Sequence, residues 1–100
     1  MTYFVIFQPE AETEFLDSII WYEKILEGLG RDFQKETEKI VHHLELHPFI
    51  YTKKKKNFRE AVVRRFPYVI VYKILPKKKE VHILSVFHTS RHPKKKYIGH

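Results

Sequence analysis

FPYVIVYKILPKKKEVHILSVFH, residues 66–88, decides how this chain folds. In FPYVIVYKIL the apolar side chains fall on odd and even positions alike. A strand with both faces apolar belongs in the middle of a sheet, covered on both sides. PKKKE reads as a turn and VHILSVFH as the next strand. So short a connection makes the two strands antiparallel neighbours. Just upstream, FREAVVRRF (58–66) alternates with period two and reads as another strand, preceded by a loop around the lysine run 53–56. Tyr68 and Tyr72 share one face of the central strand and read as core residues.

The N-terminal half carries a different period. TYFVIF (2–7) is β-branched and aromatic, a first strand. Pro9 suits a first helical turn, and Glu10, Glu12 and Glu14 complement the helix dipole there. Ala11, Phe15, Ile19, Tyr22 and Leu26 then recur at helical spacing. Gly28 and Gly30 break that helix. Leu29, Phe33, Ile40 and Leu44 mark the stripe of a second, which Pro48 ends. The reading is a single α+β domain over residues 1–100 in the order β-α-α-β-β-β. A two-helix hairpin packs on one face of a mostly antiparallel sheet. The other sheet face, carrying residues from the basic half, is left for solvent or a partner.

Composition bounds the function. Hydrophobic residues make up 43% of the chain and aromatics 15%, enough for a packed interior. Cysteine is absent, which excludes disulfides and thiolate metal sites. No basic leader opens the chain and no apolar run is long enough to cross a bilayer, so a cytoplasmic protein without membrane contact is expected. Charge is segregated. Residues 1–50 hold four Lys/Arg and ten Asp/Glu, whereas residues 51–100 hold fifteen and two. A field of that strength attracts polyanions or an acidic protein.

Candidate site residues concentrate in the basic half. Lys53, Lys54, Lys55, Lys56, Arg59, Arg64, Lys94, Lys95 and Lys96 are candidates for contact with an anion or a partner; their plain alternative is a solvated surface. Histidine's unperturbed pKa lies near neutrality, so His88 suits acid–base work, unless it is a structural hydrogen-bonding residue. Arg91 and Arg65 suit bidentate phosphate binding. Tyr97, His92 and Glu60 complete the set, Glu60 being a weak base candidate. His43 and His47 stand four apart on the second helix, but no third ligand follows and HLELH is not HExxH. No metal and no cofactor is expected.

Several segments together resemble the RelE/ParE toxin superfamily of bacterial type II toxin–antitoxin systems, often labelled plasmid-stabilisation proteins. They are the opening strand with PEAETEF, WYE in the first helix, GLGRDF between the helices, HP after the second, RFPYVIVYKI, and ILSVFHTSRHPKKKY. The resemblance covers nearly the whole chain, and FPY-x-I-x-Y followed by H-x-x-R-x-P is its specific part. It implies a helix hairpin on a mostly antiparallel sheet and a companion antitoxin, commonly acidic, that neutralises the toxin. RelE-like members cut messenger RNA in the ribosomal A site, whereas ParE-like members poison DNA gyrase without nuclease chemistry. The RelE-like pattern places an arginine on the central strand where this chain has Val69, which favours the gyrase-directed branch. If the chain is a nuclease, His88, Arg91, Arg65, Tyr97 and Glu60 are its candidate catalytic residues. A member that only binds antitoxin is the remaining alternative.

Overall fold

A computed structural model describes residues 2–90. The elements run β1 (Phe4–Phe7), α1 (Pro9–Ile25), α2 (Leu29–Leu46), β2 (Thr52–Lys53), β3 (Arg59–Val62), β4 (Tyr68–Leu75), a 3-10 turn (Pro76–Lys78) and β5 (Glu80–His88). The five strands lie in the order β1-β5-β4-β3-β2. Only β1 runs parallel to its neighbour, β5; the other three pairings are antiparallel. The helix hairpin and the mostly antiparallel sheet agree with the sequence reading. The lysine run is not all loop, because Thr52 and Lys53 add an edge strand against Glu60 and Arg59.

β4 and β5 form the centre. Tyr68, Ile70 and Tyr72 of β4 meet Val81, Ile83 and Val86 of β5 on the face that receives the helices, with Ala11, Phe33, Ile40 and Leu44. A β-bulge between Val71 and Tyr72 keeps this face apolar on both sides of the irregularity. Tyr72 is fully buried and donates its hydroxyl to the Pro48 carbonyl at 2.6 Å, tying the end of the helical layer to the sheet. Burial pushes that phenol well above the ordinary tyrosine range, so it stays a donor.

The reverse face differs from expectation. Its centre is a second buried apolar cluster, Phe58, Val69, Val71, Leu84 and Phe87, and not an open basic surface. The doubly apolar pattern of β4 requires this: what alternates away from the helices still needs cover. Among the described residues of the basic half, Lys73 lies on β4 and the other lysines sit at the margins, on β2, in the loop behind it and in the turn before β5.

Two helix assignments also change. Leu26 lies beyond α1 and is 62% exposed, so it is not part of the buried face. Gly28 caps the start of α2 in a left-handed conformation, φ 87°, and Gly30 lies inside α2. A Cβ there would stand 2.4 Å from the Ile19 carbonyl oxygen, so Gly30 is where the two helices cross closely. Glu23 of α1 accepts both the Gly28 and Gly30 amides, at 2.8 and 3.0 Å, which closes the hairpin.

Candidate functional site

Of the sequence candidates that the structure describes, His88 lies at the end of the sheet where β4 begins and β5 ends. Tyr68 pairs with His88 across the ladder, and the Thr89 amide donates to the Pro67 carbonyl at 2.8 Å. The His88 ring meets the Tyr68 ring edge-on, with centroids 5.0 Å apart. Tyr68 is buried, and its hydroxyl lies 3.1 Å from Ser18 Oγ on α1. Tyr22 sits alongside; burial and the Tyr68 phenol push its own phenol up.

His88 is tied to the residues after it. The Ser90 amide donates to His88 Nδ1 at 3.0 Å, and Ser90 Oγ lies 2.6 Å from the same nitrogen. A backbone N–H has only its proton to offer, so Nδ1 is the acceptor and the ring proton of the neutral form sits on Nε2. The lone pair that a general base needs is therefore engaged.

The other described nuclease candidates, Glu60 and Arg65, do not converge on it. Glu60 pairs with Val71 on β3 and shares the reverse face with the second cluster, whereas His88 shares the helix face with Tyr68. Arg65 does not lie on a strand, because β3 stops at Val62. Arg64 and Arg65 make the turn into β4, with Arg65 at φ 73°. From there Arg65 reaches Asp32 at the start of α2 at 3.5 Å and lies over the Phe66 ring. Both partners are about half exposed, so this ion pair contributes little stability. Val69, where the RelE-like pattern has arginine, is 6% exposed within the reverse-face cluster, opposite Phe87. Arg91, His92, Lys94, Lys95, Lys96 and Tyr97 lie outside the described residues.

Among the anion-contact candidates, Arg59 has structural partners. It donates to the Phe49 and Tyr51 carbonyls at 3.3 and 2.8 Å and covers the Phe49 ring. Lys53 lies on the edge strand β2, and Lys54, Lys55 and Lys56 form the loop after it. That loop is folded: Lys54 donates to the Phe58 carbonyl and Phe58 to the Lys55 carbonyl, with Lys56 at φ 54°. His43 is held by Tyr51, 3.1 Å from its hydroxyl. Among the described residues, no three His, Cys, Asp or Glu side chains come together as a metal site.

Sequence reading passed over Glu14 as a dipole residue. Beyond the end of β1, β5 has a bare edge, and Glu14 fills it by accepting the Val86 amide and Ser85 Oγ, both at 3.0 Å. That single carboxylate locks α1 onto the strand that carries His88. Glu14→Ala leaves the Val86 amide without its acceptor and is expected to cost about 1–3 kcal/mol, with Glu14→Gln costing less. Urea unfolding of the two variants side by side measures the difference.

The fold and this strand end define a known class. The sequence matches the family described as "ParE toxin of type II toxin-antitoxin system, parDE" over residues 5–93, and the chain belongs to that family. Two solved structures share the fold. A chain of the chromosomal ParDE toxin–antitoxin system from P. aeruginosa superposes with a TM-score of 0.73 at 12% identity, covering 86% of this chain and 95% of that one. The isolated E. coli RelE toxin superposes with a TM-score of 0.57 at 20% identity, covering 96% and 94%. No curated protein matches the sequence.

Proposed function

We propose that this protein is the toxin of a type II toxin–antitoxin pair, that it acts in the cytosol by binding DNA gyrase, and that a cognate antitoxin neutralises it. Family membership supports the toxin role. The choice of a binding mechanism over RNA cleavage is carried by the dispersal of the described acid–base candidates, Glu60 and His88. RNA cleavage by the 2′-hydroxyl needs a base, an acid and cations around one phosphate. Glu60 and His88 stand on opposite faces of the sheet, Val69 supplies no charge, and the Nδ1 lone pair of His88 accepts the Ser90 amide.

The test is tightly controlled expression of the chain alone, and then together with its antitoxin. Growth arrest is expected alone and relief together. Purified protein is expected to inhibit gyrase supercoiling or trap cleaved DNA. His88→Ala is expected to leave arrest within about twofold of the wild type, since histidine in a non-catalytic setting contributes only local packing. Codon-phased cuts in translated messages, lost in His88→Ala, point instead to a RelE-like ribosome-dependent endoribonuclease. Absence of arrest from a folded protein points to a member that retains only antitoxin binding.

A further inference from the structure

Lysine is concentrated at one end of the sheet. Lys53 closes β2, and Lys54, Lys55 and Lys56 follow in the loop to β3. Arg59, where β3 leaves that loop, pairs with Tyr72 of β4. Lys73 comes next on β4, which then turns through Lys77, Lys78 and Lys79 into β5. The register therefore puts both turns at the same end, with Lys73 between them. They are two strand spacings apart across the sheet, about 10 Å. Guarding an edge accounts for the lysines around β2. It does not account for the other turn, which joins the two central strands. Glu45 and Glu80 share a pocket with Lys78 and Lys79 and offset their charge. Among the described residues, no carboxylate lies within ion-pair distance of Lys53, Lys54, Lys56, Lys73 or Lys77. A surplus of positive charge remains that the fold itself does not use.

We propose that this end of the sheet binds duplex DNA along its phosphate backbone, without reading sequence. The spacing of the two turns is close to the width of a major groove, about 12 Å, so they meet phosphates on its two sides. Lysine is a compact point charge, and lysine–phosphate contacts carry no sequence information. Arg59, whose fork could read a guanine edge, is held by the Phe49 and Tyr51 carbonyls. The rings nearby favour a duplex over a single strand, which stacks successive bases on successive aromatics. Lys79 covers the Tyr3 ring and Arg59 the Phe49 ring, and Phe4 by itself makes no such track. An acidic protein is a poorer fit, because neither turn exposes a large apolar side chain as an anchor. The binding does not depend on the gyrase reading, and its test contains no gyrase.

The experiment is fluorescence anisotropy of a labelled random-sequence duplex of about 20 bp, titrated with the full chain over a range of salt. A Kd of about 10 µM is expected at about 50 mM salt, weakening steeply as salt rises. Lys54→Gln with Lys56→Gln removes two charges from one turn, and Lys73→Gln with Lys77→Gln removes two at the other. Each pair is expected to weaken binding about tenfold and to flatten the log–log salt slope by about 1.8, at about 0.9 for each lost phosphate contact. Lys24→Gln with Lys35→Gln makes the same change of net charge on the helices and is expected to stay within about twofold. The basic residues after Ser90 are the same in every variant, so the differences report the two turns. Loss of fold lowers the bound fraction without changing the slope, so the slope separates charge from fold. The proposal is overturned by absence of binding, by weaker binding at an unchanged slope, or by a loss confined to one turn. An equal loss in the helix pair also overturns it, since net charge alone is then at work. So does tighter binding of the single strand, or displacement of the duplex by polyglutamate of equal charge, which assigns the surface to an acidic protein.

Discussion

Phe33→Ala is expected to lower the unfolding free energy by about 3–5 kcal/mol, the usual cost of emptying a buried aromatic site. Phe33 is fully buried where three elements meet. Its ring lies 4.8 Å from Tyr68, 5.2 Å from Phe66 and 5.4 Å from Tyr22, centroid to centroid. It therefore joins α2 to α1, to β4 and to the turn that carries Arg65. These neighbours are themselves held by other contacts, so they cannot collapse into the space. A domain of this size has about 5–15 kcal/mol in all, so the variant sits near the limit of folding. Urea unfolding reads the effect as a fall in midpoint at unchanged slope. A loss below about 1 kcal/mol means that the aromatic cluster is not the joint described here.

Gly30→Ala is expected to destabilise although alanine is the better helix former. Propensity favours the alanine by about 1 kcal/mol. Against it stands a Cβ placed 2.4 Å from the Ile19 carbonyl oxygen, a backbone atom that a rotamer change cannot move. The helices must separate, and the gap loosens the packing of Phe33 and Tyr22 beneath. A net loss of about 2 kcal/mol or more is expected, at the upper part of the overpacking range. Gly28→Ala is the comparison. Nothing lies within 4 Å of a Cβ there, so only the left-handed backbone, φ 87°, opposes it, at about 1–2 kcal/mol. If Gly30→Ala is neutral, the hairpin crossing is looser than its geometry implies. Both Phe33→Ala and Gly30→Ala are expected to weaken growth arrest through a smaller folded fraction, without a change of target.

Much of the architecture was legible in the sequence, since periodicity reports burial directly. The spacing of Ala11, Phe15, Ile19 and Tyr22 marked the inner face of α1 because those residues repeat on one side of a helix. The doubly apolar run of β4 marked the centre of the sheet. The same run also implied cover on the reverse face, which the charge balance obscured: net charge counts residues in a segment and says nothing about which side of a strand they occupy. Gly30 reads as a breaker in the sequence because glycine at a turn and glycine at a close crossing have the same letter. Arg65 reads as a strand residue because VVRRF continues an alternation that the backbone abandons after Val62.

By itself, the sequence determined the order of the elements, the buried faces of both helices and the membership of the central strand pair, because each depends on a local repeat. Only the tertiary structure decided the rest. It ran β1 parallel to β5, brought Glu14 to the bare edge beyond β1, gave the His88 lone pair to the Ser90 amide, and set Glu60 on the opposite face from His88. Those relations join residues whose neighbourhood depends on strand register and on which edge stays open, and neither is written in any one segment.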